Sequence, residues 1–152
     1  MTGVGIIDIN GDRVTPVYFD VIKAGAGAFN ERLGIIFSGL RALIGEHQPD
    51  EVAIETVFVA HNAASAIKLG QARGAAVCAA ISCDLPVFDY SPRLVKQAIV
   101  GRGGADKTQV QHMVGLLLGI KGSIQNDAAD ALAVALCHQH TSHTLARMAM
   151  MQ

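Results

Sequence analysis

Three acidic residues stand in surroundings that do not call for charge. Glu55 interrupts the apolar, β-branched run Val52-Ala-Ile-Glu-Thr-Val57, and Asp127 and Asp130 open the Ala-rich stretch Asp127-Ala-Ala-Asp-Ala-Leu-Ala133. A carboxylate buried alone in an apolar strand costs several kcal/mol. Glu55 is therefore exposed at a strand end, held by a structural hydrogen bond, or projected into a cleft at the strand's end, where α/β sheets bind ligands. A spacing of three on a helix puts Asp127 and Asp130 on one face, about 5–6 Å apart. The competing account is an N-cap Asp followed by a second Asp favoured by the helix dipole. Were all three carboxylates to converge, each pair at about 6 Å would repel by roughly 3 kcal/mol at an effective dielectric near 20. Such a cluster needs a cation, and all-oxygen ligation selects Mg²⁺ or Mn²⁺. Two ions held by carboxylates suit phosphodiester hydrolysis: one activates water and the other stabilises the leaving oxygen.

Charge distribution bears on the same chemistry. The net charge is −1, yet residues 1–55 hold four Lys/Arg against eight Asp/Glu. From Lys68 to Lys107 there are six bases (Lys68, Arg73, Arg93, Lys96, Arg102, Lys107) against three acids. Phosphate contacts need only a local positive surface, although an ordinary solvated face gives a similar count. Gly101-Arg-Gly-Gly104 lacks the Lys-Ser/Thr of a P-loop; it reads as a backbone-exposing loop whose Arg102 can meet a phosphate. Phe58 follows Glu55 by three residues, as a core aromatic or as a ring that stacks on an unpaired base at a cleft edge. His138-x-His140-x-x-His143 has no partner Cys or acid in register and reads as a solvated helix end rather than a metal site.

The elements that must position these residues follow from periodicity. The apolar run 3–9, the turn Asn10-Gly-Asp12 and the alternation from Arg13 to Ile22 predict a hairpin, with Pro16 favouring a sheet edge. Apolar positions from Phe29 to Ile44 recur at helical steps, and Gln48-Pro-Asp50 ends that helix. A buried strand is expected over Glu51–Val59, a long helix from near Asn62 to Ile81, and a third strand signal over Leu85–Tyr90. Ser91-Pro92 starts a further helix, Asp106 caps another through Leu118, and a last helix runs from about Asp127 to His138. Beyond Thr141 a frayed tail is expected. Ala66, Gly70 and Gly74 form a small-residue stripe that permits close helix packing, more usually internal than a dimer seam. The pattern predicts one α/β layered domain over residues 1–140, with 141–152 as a flexible C-terminal tail.

Composition excludes several classes. At 152 residues, 51% hydrophobic and 16% charged, the chain has material for a core and no disordered signature. No apolar run approaches the roughly 18–20 residues of a membrane span, and no basic segment precedes an apolar one at the N-terminus. Cys78, Cys83 and Cys137 show no metal-like spacing and read as reduced, semi-buried thiols of a cytoplasmic protein.

Taken together, the stretches Ile54-Glu-Thr-Val-Phe58, Asn62 to Gly74, Leu85-Pro-Val87, Val95 to Gly101, Ala105 to Val114 and Asp127 to Ala133 resemble the RuvC-type Holliday-junction resolvases, bacterial endonucleases of the RNase H-like superfamily. They run in family order across most of residues 51–140. The resemblance implies an RNase H-like mixed sheet flanked by helices and a homodimer that binds a four-way DNA junction. It implies symmetric nicking of two opposed strands with two Mg²⁺ ions, Mn²⁺ able to substitute, in recombination and repair, beside a branch-migration motor complex. It makes Glu55, Asp127 and Asp130 metal-binding catalytic acids, places Lys96 and Lys107 near the scissile phosphate, and makes Phe58 the residue inserted near the junction centre. Asn62, Lys68, Arg73 and Arg102 join these as nucleic-acid contacts, the Lys68–Arg73 helix lining both the DNA face and the dimer seam.

One departure matters. The family's first central strand carries a further catalytic Asp in a pattern like Gly-Ile-Asp-Pro-Gly-Ser, followed by Thr-Gly-x-Gly. Thr2-Gly-Val-Gly5 matches the second part, so that Asp would fall upstream of Met1. Accepting Asp8 instead would shorten the segment before Glu55 by nearly a hairpin. The expectation is a chain lacking that strand and one metal ligand, and impaired in cleavage. The alternatives are a junction-binding protein without catalysis and an RNase H-like nuclease acting on other substrates.

Overall fold

Alternating β-branched residues near the N-terminus form a hairpin, as the pattern predicts. A computed structural model describes residues 1–57 and 62–149, the side chains of 143 and 145–149 excepted. Strands β1 (Thr2–Asn10) and β2 (Arg13–Ile22) make a two-stranded sheet joined through Gly11-Asp12. Gly11 takes φ 61°, a left-handed conformation that costs glycine little and suits a two-residue hairpin. There follow α1 (Phe29–His47), β3 (Val52–Glu55), α2 (Ala63–Ile81), β4 (Val87–Tyr90), α3 (Pro92–Val100), α4 (Lys107–Leu117) and α5 (Asn126–Ala149). The described residues form two compact units. One holds Met1–Thr2 and the segment from Ile22 to Ser91, the other Gly3–Val21 and the segment from Pro92 onward.

In the first unit β3 and β4 pair in parallel, Val52 opposite Val87 through Glu55 opposite Tyr90. A parallel pair needs a long crossover, and α2 supplies it. Helix α1 packs along α2, whose Ala79 and Ala80 are fully buried together with Tyr90 and Ile36. The expected strand over Glu51–Val59 is shorter and only half buried. Thr56 N–H donates the last ladder bond to Tyr90 O at 2.8 Å, and β4 stops there because Pro92 begins a helix. With no partner strand beyond Tyr90, β3 ends at Glu55.

In the second unit α5 is the core. Ala128, Ala129, Leu132, Ala133, Leu136 and Cys137 are all buried, as are Val95 and Ile99 of α3 and Val110 and Val114 of α4, the helices that pack on it. Burial pushes the Cys137 thiol up, and a hydrogen bond from Thr141 offsets this in part; Cys78 is exposed and all three cysteines are free. The helix continues past the expected end at His138. The polar stretch that reads as tail is helical, and Thr141, Ser142 and Thr144 donate their hydroxyls to the carbonyls of Cys137, His138 and His140 at 2.9, 3.0 and 2.8 Å.

Strand β1 lies against the same helix through two glycines. A Cβ on Gly3 would stand 1.8 Å from the Asp127 carbonyl oxygen, and one on Gly5 would stand 2.8 Å from the Leu132 amide nitrogen. Two strand residues advance about 6.8 Å and five helical residues about 7.5 Å, so the glycine spacing matches the helix spacing and any side chain would push strand and helix apart. Gly34, in the exposed middle of α1, meets nothing within 4 Å. In urea unfolding, Gly3→Ala is expected to destabilise by about 2 kcal/mol or more through overpacking against backbone. Gly34→Ala is expected to stabilise by up to about 1 kcal/mol through helix propensity.

Candidate catalytic and nucleic-acid-binding site

The N-terminus of α5 decides what its two acids are free to do. The exposed amides are met by Gln125: its side-chain Oε1 accepts from Ala128 N–H at 3.0 Å and its backbone oxygen from Ala129 N–H at 2.9 Å. Asp127 is therefore not the cap. Among the described residues its half-exposed carboxylate accepts a long 3.5 Å bond from Gln125 Nε2, and it sits in the first turn, where the helix dipole favours negative charge. Asp130 lies one turn further along. Its Oδ2 accepts a charge-assisted bond from Lys107 Nζ at 2.7 Å, with both side chains about half exposed.

Lys107 is placed by the start of α4. Asp106 caps that helix as expected, accepting from Gln109 N–H at 2.9 Å, while Gln109 Oε1 accepts from Asp106 N–H at 3.3 Å. Arg102 Nη2 donates to the same Gln109 Oε1 at 3.2 Å, which ties the arginine of the Gly-rich loop to the helix that carries Lys107. Gly103 of that loop leaves no room for a side chain beside Arg93: an added Cβ would stand 2.6 Å from its Cγ. Lys96 lies on α3, partly buried. The second unit thus holds Lys96, Arg102, Lys107, Asp127 and Asp130, with Lys107 joined directly to one of the acids.

The first unit holds the remaining candidates. Glu55 is the last residue of β3 and is exposed, which selects the strand-end account over burial. Asn62 caps α2, accepting from Ser65 N–H at 3.2 Å. Lys68 is exposed on α2, and Arg73 on the same helix pairs with Asp89 of β4. Added Cβ atoms on Gly70 and Gly74 meet nothing within 4 Å, and the neighbouring Ile67 and Leu69 are 63% and 58% exposed. The small-residue stripe is thus not buried against the described residues, contrary to the internal packing that such stripes usually serve. Phe58 lies outside the described residues. Asp8 is exposed on β1 and His138 is buried, while His140 is exposed.

Among the described residues no three His, Cys, Asp or Glu side chains gather to hold a metal ion. The α5 pair alone fits a hard divalent cation in its donor chemistry: Mg²⁺ keeps several waters and takes one or two carboxylates. The ammonium of Lys107 on Asp130 shows that positive charge is favoured there. Among the described residues, no helix is long and apolar enough to cross a membrane. Sequence reasoning missed Gln125 as cap, Gly3 and Gly5 as the seat for α5, and Asp89 as partner of Arg73. The paired glycines two apart were a readable signal for close approach; a glutamine cap carries none.

A family model described as crossover junction endodeoxyribonuclease RuvC matches residues 1–138. The chain is 57% identical to the crossover junction endodeoxyribonuclease RuvC of Xanthomonas oryzae pv. oryzae (strain MAFF 311018), over 94% of this chain and 83% of that protein. It is 51% identical to the RuvC of Pseudoalteromonas translucida, over 98% of this chain and 86% of that one. Among solved structures it is similar to T. thermophilus RuvC in complex with Holliday junction substrate. That likeness has a TM-score of 0.86 and 33% identity, and covers 93% of this chain and 88% of that one.

The capping arrangement makes a stability prediction. Gln125→Ala should cost about 1 kcal/mol by loss of the bond to the Ala128 amide, whereas Asp127→Asn should stay within about 0.5 kcal/mol of the parent. Urea unfolding of the two variants checks both. A large loss in Asp127→Asn would mean that the acid is structural after all.

Proposed function

The chain belongs to the RuvC family of crossover junction endodeoxyribonucleases, and on that premise we propose that it binds four-way DNA junctions and nicks two opposed strands symmetrically, in recombination and repair. The observation that carries the chemistry is the α5 terminus. Asp127 is relieved of capping by Gln125, and Asp130 already faces a cation. Such side chains are available for ligation rather than committed to the fold.

In this reading Asp127, Asp130 and Glu55 hold the divalent ions, two Mg²⁺ with Mn²⁺ able to substitute. When bound, the ions supply activated water and stabilisation of the leaving oxygen, giving a 5′-phosphate and a 3′-hydroxyl. Lys107, moved from Asp130 toward the phosphate, and Lys96 offset negative charge developing on the phosphoryl oxygens. Arg102 is held ready at the Gly-rich loop, and Lys68, Asn62 and Arg73 contact the DNA backbone from the other unit. Phe58 enters near the junction centre. Residues 1–140 are the nuclease domain in this reading, with residues 141–152 outside the site.

Two finer elements belong to the same proposal. The chain acts as a homodimer through α2, supported by the open faces of Gly70 and Gly74 and the exposed Ile67 and Leu69. It works on chromosomal DNA in the cytoplasm, beside a branch-migration motor.

Cleavage of a synthetic four-way junction during a Mn²⁺ titration tests the reading. Asp130→Asn is expected to lower the rate by at least about 10²-fold with junction binding kept, as loss of a metal ligand should. Equal cleavage of linear duplex would overturn the junction reading.

A further inference from the structure

The pair between Arg73 and Asp89 lies where a substrate of the proposed kind would pass. Asp89 is the penultimate residue of β4 and stands opposite Ile54, one step before the Glu55–Tyr90 pair that ends both strands. In parallel sheets ligands collect at the carboxyl ends of the strands, and here that end carries Glu55. Arg73 reaches it from α2, its Nη2 donating to Asp89 Oδ1. The two side chains are 29% and 52% exposed, so the pair faces solvent and not a sealed core. The contact is single-pointed. Arg73 Nε is buried with no hydrogen-bond partner among the described residues, so the guanidinium is not engaged in the two-pronged fork that makes arginine–carboxylate pairs strong.

An exposed single-point pair is a weak restraint, but it is placed to filter substrates. We propose that Asp89 is a specificity-determining residue that withholds Arg73 from ordinary duplex DNA and yields it to a junction. This inference rests on the junction-binding reading above. A lone phosphate that takes Arg73 must displace Asp89 and then face its negative charge. Phosphates brought to the strand ends from two arms offer the guanidinium more than one acceptor and outcompete the carboxylate. Specificity then comes from a penalty on the wrong ligand as well as from attraction to the right one.

Fluorescence anisotropy of the full chain on labelled linear duplex and on a four-way junction, in EDTA so that nothing is cut, tests this. Asp89→Asn keeps the shape and removes the restraint. It should steepen the dependence of log K on log salt for linear duplex by about one unit, tighten duplex binding about threefold at low salt, and shrink the junction preference accordingly. Adding Arg73→Gln to Asp89→Asn should return the slope to the parent value or below. Asp84→Asn, an exposed acid in the turn after α2, controls for the lost charge and should leave the slope unchanged. Asp89→Ser is measured in parallel, with thermal melting and sedimentation of each variant, so that a folding defect in one does not decide the result. An unchanged slope in the folded Asp89 variants, the same steepening in Asp84→Asn, or an effect confined to melting or dimerisation would overturn the inference. A parent chain with no junction preference would overturn the functional reading and this inference with it.

Discussion

Everything at the proposed site depends on holding two carboxylates one turn apart on α5 without committing them to the fold. At about 6 Å such a pair repels by roughly 3 kcal/mol when the effective dielectric is near 20, so the chain must offset that without consuming the acids. It does so from outside the helix's own sequence. Gln125 takes the capping role that an aspartate would otherwise fill, the dipole of the first turn steadies Asp127, and Lys107 comes from another helix to neutralise Asp130. Both carboxylates stay partly exposed. Capping by Asp127 itself would have stabilised the helix equally well and removed one ligand from the chemistry.

Position follows from packing on the opposite side of the same helix. β1 meets the carbonyl of Asp127 at residue 3, where an added Cβ would clash and only a glycine permits the approach. Gly5 repeats the contact at Leu132, one of the most deeply buried side chains. The strand therefore acts as a straight edge along the first turns of α5. Ala128, Ala129 and Ala133 of the same helix are all buried. Small residues in this unit do not signal looseness: they bring backbone to backbone, so a displacement of the strand would be felt at the acid one peptide away.

Much of this was legible beforehand, and the reasons differ by element. The hairpin, the capping of α4 by Asp106 and the start of α3 at Pro92 are local events, written in adjacent residues whose conformational preferences agree. Glu55 at a strand end was legible as one of a few options, because a lone carboxylate in an apolar strand must be relieved somehow. The end of β3 was not. It is set by where β4 runs out, thirty-odd residues later in the chain, and no local pattern in Glu51–Val59 records that. Helix α5 reads as too short because Thr and Ser are weak helix formers by propensity, although here their hydroxyls bond carbonyls of the same helix. The pairing of Arg73 with Asp89 joins residues sixteen apart on different elements, which neither the charge count nor the family resemblance that made Arg73 a DNA contact records.

The hydrogen bonds around α4 narrow what the Gly-rich loop can contribute. A free helix N-terminus attracts anions through its unpaired amides, and a loop of Gly101-Arg-Gly-Gly104 leading to α4 invites that interpretation. Here the first turn is already committed: Asp106 and Gln109 satisfy each other's backbone amides in a reciprocal box, and the cap brings a carboxylate of its own. A phosphate at that position would meet a negative charge before it met an amide. The positive groups that remain are side chains, Arg102 tied to Gln109 and Lys107 tied to Asp130. The loop's value is thus to carry Arg102, with Gly101 taking φ 76° and Gly103 fitting closely against Arg93, rather than a phosphate cradle of backbone amides.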